Sequence, residues 1–325
     1  MSKSIVISQN GGPEVMQWQD VDVDAPGAGE IRVRHTYVGL NFIDVYHRTG
    51  LYPTSLPSGL GLEAAGVVEA LGEGVTDLDV GDRVAYASTP IGAYAEVRLM
   101  PASRVVRVSE NVDDQIAAAM MLKGMTAEYL LCRTYPVQSG DWVLFHAAAG
   151  GVGSIATQWA KAIGANVIGT VGSAEKAELA GSQGCDHVIN YNEENFAERV
   201  REITNGQGVH VVYDSVGKST FEGSIDCLRP RGMMVSFGNA SGPVAPFEPG
   251  MLAAKGSLYF TRPSLMTYTA SDEDMQLSAN AIMDMVGNGT VMVPVGQTYA
   301  FADVVQAHQD LEDRKTHGST IFAID

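Results

Sequence analysis

The residues best suited to chemistry lie within positions 142–161, where a short apolar run is followed by a turn of small residues. Ala148, Gly150 and Gly153 stand at the spacing of a dinucleotide-binding fingerprint, with alanine in place of the first glycine. Small residues let backbone N–H groups approach a pyrophosphate, and the N-terminus of the next helix presents them to the anion. The segment predicts a nucleotide-binding turn; an ordinary strand-to-helix turn is the alternative.

The end of the second predicted strand indicates which nucleotide is bound. A site for NAD usually has a carboxylate about twenty residues after the fingerprint, where it binds the ribose hydroxyls. This chain has Gly172 and Ser173 at that position, and Lys176 follows in the next helix. We therefore predict NADPH, with Lys176 as a point charge beside the 2′-phosphate. Glu175 keeps NAD open as an alternative, because a shifted loop would bring its carboxylate to the ribose.

Alternating strand-like and helix-like segments place this turn in a sheet. Six apolar strands with helical patterns between most of them are typical of a doubly wound parallel sheet, the Rossmann arrangement. We predict this nucleotide-binding domain over residues 126–261. Its strands are expected at 143–145, 166–171, 187–190, 209–215, 232–237 and 257–261.

The first 125 residues have short alternating runs that are separated by turns rich in glycine and proline. This pattern is typical of a partly open β-barrel, which makes the whole chain an α/β protein of two domains. Residues 262–325 are expected to complete the first domain, and a cleft between the domains is the expected site. In that C-terminal part we predict helices at 274–286 and 301–313 and strands at 291–295 and 319–324.

Composition narrows the class of protein. The chain has 325 residues, enough for two domains, and a net charge of −17 from 38 acidic and 21 basic residues. An acidic surface repels nucleic-acid phosphates and anionic membranes, and no apolar run is long enough to cross a bilayer. Three separated cysteines form neither a disulfide framework nor a metal pattern, and the first residues lack the pattern of a signal peptide. We therefore predict a cytoplasmic protein without nucleic acid as a main partner.

Several stretches of the chain match one known family: residues 39–44, 46, 48–53, 59–66, 122–126, 213–217 and 235–239, together with residues 140, 141, 144, 148–151, 153, 158 and 161. On these residues the chain resembles the quinone oxidoreductases, the zeta-crystallin-like branch of the medium-chain dehydrogenase/reductases. The resemblance extends over essentially the whole length and implies a GroES-like catalytic domain, a Rossmann domain and a homodimer. It also implies a small-molecule quinone as the substrate.

The ligands of zinc-dependent relatives are missing from this chain. Those relatives have a cysteine and a Gly-His-Glu motif for a catalytic metal, and four clustered cysteines for a structural one. Here Asn41 and Asp44 occupy the loop where the cysteine is sought, and Leu62 stands in place of the histidine. Zn²⁺ prefers thiolate or imidazole ligands in a tetrahedral array, and the seven histidines are scattered. We therefore predict no metal.

The resemblance also assigns site residues. Asn41, Tyr46 and Tyr52 are expected to line the substrate pocket, where an amide N–H or a phenol donates to the quinone oxygen. A quinone accepts hydride readily, so it needs no metal to polarise it. The predicted cofactor contacts, including the fingerprint and strand-end residues, are Lys123, Thr126, Ala148, Gly150, Gly151, Val152, Gly153, Ser173, Lys176, Tyr191, Ser215, Phe237, Asn239, Phe260, Arg262 and Arg314.

Two other functions stay open at this point. An enal or enone reductase would deliver the same hydride to a conjugated carbonyl. A non-catalytic protein is the second alternative, since zeta-crystallin relatives serve as lens proteins and some bind RNA. The intact fingerprint and the negative charge count against the second.

Overall fold

The computed structural model describes residues 1–324, and the chain divides into two compact units. The first unit comprises Met1–Met125, Thr269–Asn288 and the chain from Val293 onward. The second unit comprises Thr126–Tyr268 and Gly289–Met292. Each unit is built around β-sheet and has a hydrophobic core of its own.

The long third strand of the first unit buries one face. In the third strand Ile31 and Val33 are fully buried, whereas the residues between and beside them are partly exposed, which is the alternation of a half-covered sheet. The strands are β1 (Ser2–Ile7), β2 (Gln17–Val21), β3 (Glu30–Leu40), β4 (Ser58–Gly59), β5 (Glu63–Leu71), β6 (Arg83–Ala87), β7 (Val97–Pro101), β8 (Val106–Arg107) and, after six strands of the second unit, β15 (Val295–Ala300) and β16 (Ser319–Ala323).

These strands form two sheets. The larger has the order β15-β16-β3-β5-β6-β8 with β7 also paired to β3, and the smaller has the order β2-β1-β4. Within the described residues the pairs are antiparallel except for β15 with β16. The β-rich architecture predicted for the first part of the chain is confirmed.

The second unit contains one six-stranded parallel sheet. Its strands are β9 (Trp142–His146), β10 (Asn166–Val171), β11 (His187–Asn190), β12 (Val209–Asp214), β13 (Leu228–Ser236) and β14 (Tyr259–Thr261). The order β11-β10-β9-β12-β13-β14 reverses direction beside β9, as in a doubly wound sheet. Buried Leu144, Ile168 and Val212 lie in its core, so the predicted six-stranded Rossmann arrangement is confirmed.

Ten α-helices connect the strands of the described chain, and short 3₁₀ turns lie at Pro13–Val15, Ala102–Arg104 and Phe301–Asp303. A π-helical segment, Tyr129–Thr134, directly follows the second helix. The helices are α1 (Phe42–Thr49), α2 (Asp114–Glu128), α3 (Gly151–Ile163), α4 (Ala174–Ser182), α5 (Phe196–Ile203), α6 (Phe221–Cys227), α7 (Gly250–Ala254), α8 (Leu265–Tyr268), α9 (Asp272–Gly287) and α10 (Val304–Glu312).

The strand predicted at residues 291–295 is wrong, because β15 begins only at Val295. The Gln158 side chain takes the hydrogen bonds that a neighbouring strand would take. Its amide donates to the Met292 carbonyl over 2.8 Å, and its oxygen accepts the Met292 N–H over 2.9 Å. Pro294 follows without an N–H group of its own. A side chain has thus replaced the sheet ladder along this segment.

Candidate active site

The turn after β9 has the close packing that the fingerprint predicts. A Cβ added at Gly153 would collide with the carbonyl oxygen of Ala147, so the first turn of α3 approaches the preceding backbone too closely for any side chain. Ala148 is fully buried, and a Cβ added at Gly169 of β10 would lie 2.7 Å from the Ala148 Cβ. The contact between the turn and its neighbouring strand therefore requires small residues.

The N-terminus of α3 fits an anion. Gly150 is the N-cap and has no side chain with which to cap the helix. The N–H groups of Gly151, Val152 and Gly153 are the first of the helix and have no acceptor within it. Backbone donors on a helix N-terminus, with no side chain in the way, form the cradle that a pyrophosphate needs. The predicted contacts from Ala148 to Gly153 are thus brought together in one turn.

The carboxyl end of β10 gathers three of the predicted cofactor contacts. Ser173 is the N-cap of α4, and its hydroxyl accepts the backbone N–H of Lys176 over 3.2 Å. A Cβ added at Gly172 would lie 2.5 Å from the Tyr191 hydroxyl, so the phenol occupies the space above this glycine. Glu175 is exposed in the first turn of α4. Ser173, Lys176 and Tyr191 therefore surround one strand end.

The loop after β12 is shaped by Asp214, a residue that the sequence reading missed. Its fully buried carboxylate accepts the N–H groups of Val216 over 2.7 Å and Gly217 over 2.9 Å. Ser215 lies in this loop, and its carbonyl accepts the N–H of Ala240 over 3.1 Å. The loop after β12 is thereby fastened to the loop after β13. An aspartate at the end of an apolar strand, three residues before Gly217, was the sequence signal.

Four further predicted cofactor contacts lie in the loop after β13, on β14 and directly after β14. The half-buried Phe237 ring packs against Phe145 with centroids 5.8 Å apart. Asn239 lies two residues after Phe237. In the amide orientation that satisfies its hydrogen bonds, the side-chain oxygen of Asn239 accepts from Arg262 Nη2 over 3.2 Å. Arg262 also donates to the Ser236 carbonyl over 3.0 Å. The structure thus joins Asn239 and Arg262 at the carboxyl ends of neighbouring strands.

Phe260 has a different environment. Its ring contacts Phe247 with centroids 5.2 Å apart and Phe221 with centroids 6.0 Å apart. Both neighbours belong to the hydrophobic cluster of the second unit. The role of Phe260 as a cofactor contact stays a prediction, and its visible role is to pack this cluster.

Buried His146 lies near a serine and an aspartate, the residue types of a hydrolase triad, but no substrate can reach these side chains. Its ring lies 2.8 Å from Thr170 Oγ1 and 2.9 Å from Ser224 Oγ, and Ser224 donates to Asp214 over 3.1 Å. All four side chains are fully buried. Burial lowers the pKa of His146. The network therefore fastens β9, β10 and α6 together, and it offers no nucleophile to a substrate.

In the first unit, Asn41 belongs to a buried polar cluster with Glu63 and Lys123. Glu63 is fully buried, and its Oε2 accepts from Asn41 Nδ2 and from Lys123 Nζ, each over 2.8 Å. Its Oε1 accepts the backbone N–H of Leu122, also over 2.8 Å. Only 6% of the Lys123 side chain is exposed. A buried carboxylate is tolerated here because one cation and two further donors satisfy it.

This cluster includes Asn41 and lies next to Leu62, two positions where zinc-dependent relatives are expected to have metal ligands. Leu62, in place of the histidine, is buried beside Glu63. Within residues 1–324, no group of three or more histidine, cysteine, aspartate or glutamate side chains is arranged to hold a metal ion. The positive charge that faces Glu63 is the Lys123 ammonium.

Tyr46 lies within α1, and Tyr52 follows the C-terminal end of that helix. Their ring centroids are 5.1 Å apart, and the Tyr52 N–H donates to the Tyr46 carbonyl over 3.0 Å. Tyr46 is buried and Tyr52 is half-buried. The structure thus pairs the two predicted tyrosines, while it engages Asn41 with Glu63 at the start of the helix.

Two remaining predicted contacts have clear positions. Thr126 is buried on α2, three residues after Lys123. Arg314 is exposed in the turn that follows α10, with a positive φ of 61°. Their roles in cofactor binding stay predictions.

A second carboxyl group lies close to Asn41. Asp44 is fully buried, and its Oδ2 accepts the Asn41 backbone N–H over 2.9 Å and the Tyr94 hydroxyl over 3.0 Å. Burial raises the pKa of Asp44 to about 7, against the opposing effect of these hydrogen bonds. Asn41 is therefore held at its backbone by Asp44 and at its side chain by Glu63. The sequence reading noted Asp44 only as a residue that stands where a zinc ligand was sought.

Two known protein families match parts of this chain. Residues 27–110 match the alcohol dehydrogenase GroES-like domain, and residues 151–278 match the zinc-binding dehydrogenase family. Within the described chain, no helix is both long and apolar enough to span a membrane.

Three proteins illustrate what the chain is similar to. A quinone oxidoreductase of Pseudomonas aeruginosa is 50% identical over 323 residues, which cover 99% of each chain. The crystal structure of Escherichia coli quinone oxidoreductase complexed with NADPH has a TM-score of 0.97 at 48% identity and covers 99% of this chain and 100% of its own. A 2-haloacrylate reductase of Burkholderia is 46% identical, again over 99% of each chain.

Proposed function

Because the chain belongs to the quinone oxidoreductase family of the medium-chain dehydrogenase/reductases, we propose that it reduces quinones with electrons from NADPH and without a catalytic metal. The observation that carries the proposal is the buried cluster of Asn41, Glu63 and Lys123, which has a lysine ammonium where zinc enzymes need metal ligands. The NADPH of the Escherichia coli relative supports the choice of cofactor.

The nucleotide-binding residues fit this cofactor. The turn before α3 leaves no space for a side chain at Gly153, and it offers the first helical N–H groups to a pyrophosphate. Ser173 and Lys176 would accommodate a 2′-phosphate, because the one carboxylate between them, that of Glu175, belongs to an exposed residue. When bound, NADPH supplies the hydride.

Asn41 and Lys123 would stabilise the charge that develops on the quinone oxygen. Asn41 Nδ2 has two N–H donors, and Lys123 Nζ has three. Each group donates one hydrogen bond to Glu63, so each has further donors for the quinone oxygen. Glu63 fixes both groups in place before the substrate arrives, which is what electrostatic stabilisation requires. Tyr46 and Tyr52 would contact the quinone ring through their neighbouring aromatic side chains, whose planes are inclined at 60° to each other.

Reduction of a conjugated carbonyl is the competing function. The observation in its favour is the similarity to the 2-haloacrylate reductase of Burkholderia. This function is not favoured, because relatives at 48% to 51% identity are named quinone oxidoreductases. NADPH oxidation with benzoquinone, naphthoquinone, pentenal and 2-chloroacrylate distinguishes the two. Faster turnover of either unsaturated compound than of both quinones would contradict our proposal.

We also propose a homodimer and a cytoplasmic location. The dimer is inferred from the family resemblance and the location from the composition of the chain. Sedimentation of the purified protein measures the mass directly, and a monomer at micromolar concentration would contradict the first of these proposals.

A further inference from the structure

A chain of buried hydrogen bonds leads toward Asp44 from the C-terminal helix of the first unit. Arg48 Nη1 lies 3.0 Å from His308 Nδ1, and His308 Nε2 lies 3.0 Å from the Tyr94 hydroxyl. Tyr94 in turn donates to Asp44 Oδ2 over 3.0 Å. Arg48, Tyr94 and His308 are buried, and Arg48 also forms an ion pair with Glu312.

The direction of every bond in this chain is determined. Arg48 has only donors, so His308 Nδ1 accepts, and the single proton of the neutral ring is on Nε2. Burial and the nearby Arg48 charge lower the pKa of His308 to about 3, which keeps the ring neutral. His308 then donates to Tyr94, and Tyr94 donates to Asp44. An arginine at the outer end keeps its proton, so this chain orients Asp44 and does not conduct protons to it.

The surroundings of Asp44 favour its neutral form. The two hydrogen bonds that Oδ2 accepts favour the ionised form, but burial opposes it, and Oδ1 has no hydrogen-bond partner among the described residues. Within residues 1–324 no cation forms an ion pair with this carboxyl group, and a buried carboxylate without a cation is costly. The charged and titratable groups around it are Lys123 from α2, Glu63 from β5, Tyr94 from the segment before β7, His308 from α10 and Arg48 from its own helix.

We propose that Asp44 acts as a neutral carboxylic acid that positions Asn41 for quinone reduction, and that loss of its proton at alkaline pH slows the reaction. This inference rests on the proposed function. With Asp44 neutral, the Glu63 and Lys123 charges balance. Ionised Asp44 leaves the cluster with a net negative charge at the moment when the quinone oxygen becomes negative as well. Asp44 is thus a positioning residue whose protonation state sets the local charge.

The dependence on pH tests this inference. We expect kcat/KM of the wild type to fall by about tenfold or more from pH 6 to pH 8.5 with a midpoint near 7, since one unit charge within a few ångströms has at least this effect. Asp44→Asn keeps the acceptor for Asn41 and adds no charge, so it should hold the low-pH rate across the range. Asp44→Ala loses the acceptor and should be slow at every pH.

The variant Tyr94→Phe distinguishes a role of Asp44 that depends on its protonation state from a merely structural role, which would leave the midpoint of the pH profile unchanged. It removes a donor that favours the ionised carboxyl group, so the midpoint should move upward by about one pH unit. Asp284→Asn, which neutralises an exposed carboxylate on α9, is the matched control and should leave the midpoint unchanged. A transition in Asp44→Asn identical to that of the wild type, or a midpoint unmoved by Tyr94→Phe, would overturn the inference.

Infrared spectroscopy separates this inference from the proposed function. At pH 6 the wild type, without cofactor or quinone, should show the carbonyl stretch of a protonated carboxylic acid, and Asp44→Asn should lack it. This band is independent of activity, so it is expected even if the protein reduces no quinone. Spectra that are identical in the two proteins at pH 6 would refute a neutral Asp44, whatever the enzymatic activity.

Discussion

Replacing Lys123 by methionine removes the cation of a buried ion pair. Glu63 is fully buried and the Lys123 side chain is only 6% exposed, so little solvent replaces the lost charge. Asn41 and the Leu122 N–H would remain as the donors to Glu63. Breaking a buried pair costs about 3–5 kcal/mol, because it leaves a buried charge uncompensated. We expect Lys123→Met to lose this much free energy of unfolding, and the added change Glu63→Gln to recover most of it.

Urea denaturation followed by circular dichroism measures these free energies. Lys255→Met is the matched control, because the Lys255–Asp226 pair is about half exposed and should contribute only about 0–1 kcal/mol. Loss of the charged donor should also lower kcat/KM for benzoquinone by about 10- to 150-fold, the equivalent of 1.5–3 kcal/mol. Equal unfolding free energies for Lys123→Met and Lys255→Met would refute the role that we give to the buried charge.

Three further predictions concern the cofactor and the substrate. Lys176→Ala should weaken NADPH binding by about 10- to 150-fold in a fluorescence titration and leave NADH binding unchanged; equal affinity of the wild type for both would contradict a phosphate contact. Gly153→Ala should abolish measurable NADPH binding, because the methyl group collides with the Ala147 carbonyl oxygen, while wild-type affinity in this variant would show that the turn tolerates a side chain. Tyr52→Phe should lower quinone turnover only a few-fold, as expected for one neutral hydrogen bond, and a loss of several orders of magnitude would instead identify Tyr52 as an obligatory proton donor.

The Rossmann unit could be predicted because its signals are local. Short apolar strands and one turn of small residues define it, and the order of the sheet follows from general rules of connection. The strand placed at residues 291–295 shows the limit of such reasoning. There the side chain of Gln158, more than a hundred residues earlier, takes the backbone hydrogen bonds of Met292. Periodicity contains no information about such a partner.

Polar clusters were harder to predict than strands. Asn41 and Lys123 were assigned to the site from the family resemblance, but the Glu63 carboxylate that joins them was not. The contact between Arg48 and His308 spans 260 positions of the sequence. A lone buried histidine or aspartate has no sequence pattern of its own, because its partners are brought together only by the tertiary fold.

Quinone-dependent oxidation of NADPH, measured before and after exhaustive dialysis against a strong chelator, tests the central claim most directly. Our account predicts rapid turnover with benzoquinone and an unchanged rate after dialysis, because Lys123 supplies the positive charge beside Glu63. Absence of quinone-dependent oxidation in the untreated protein would contradict the proposed activity. A rate that is lost on dialysis and restored by zinc alone would contradict the role of the lysine.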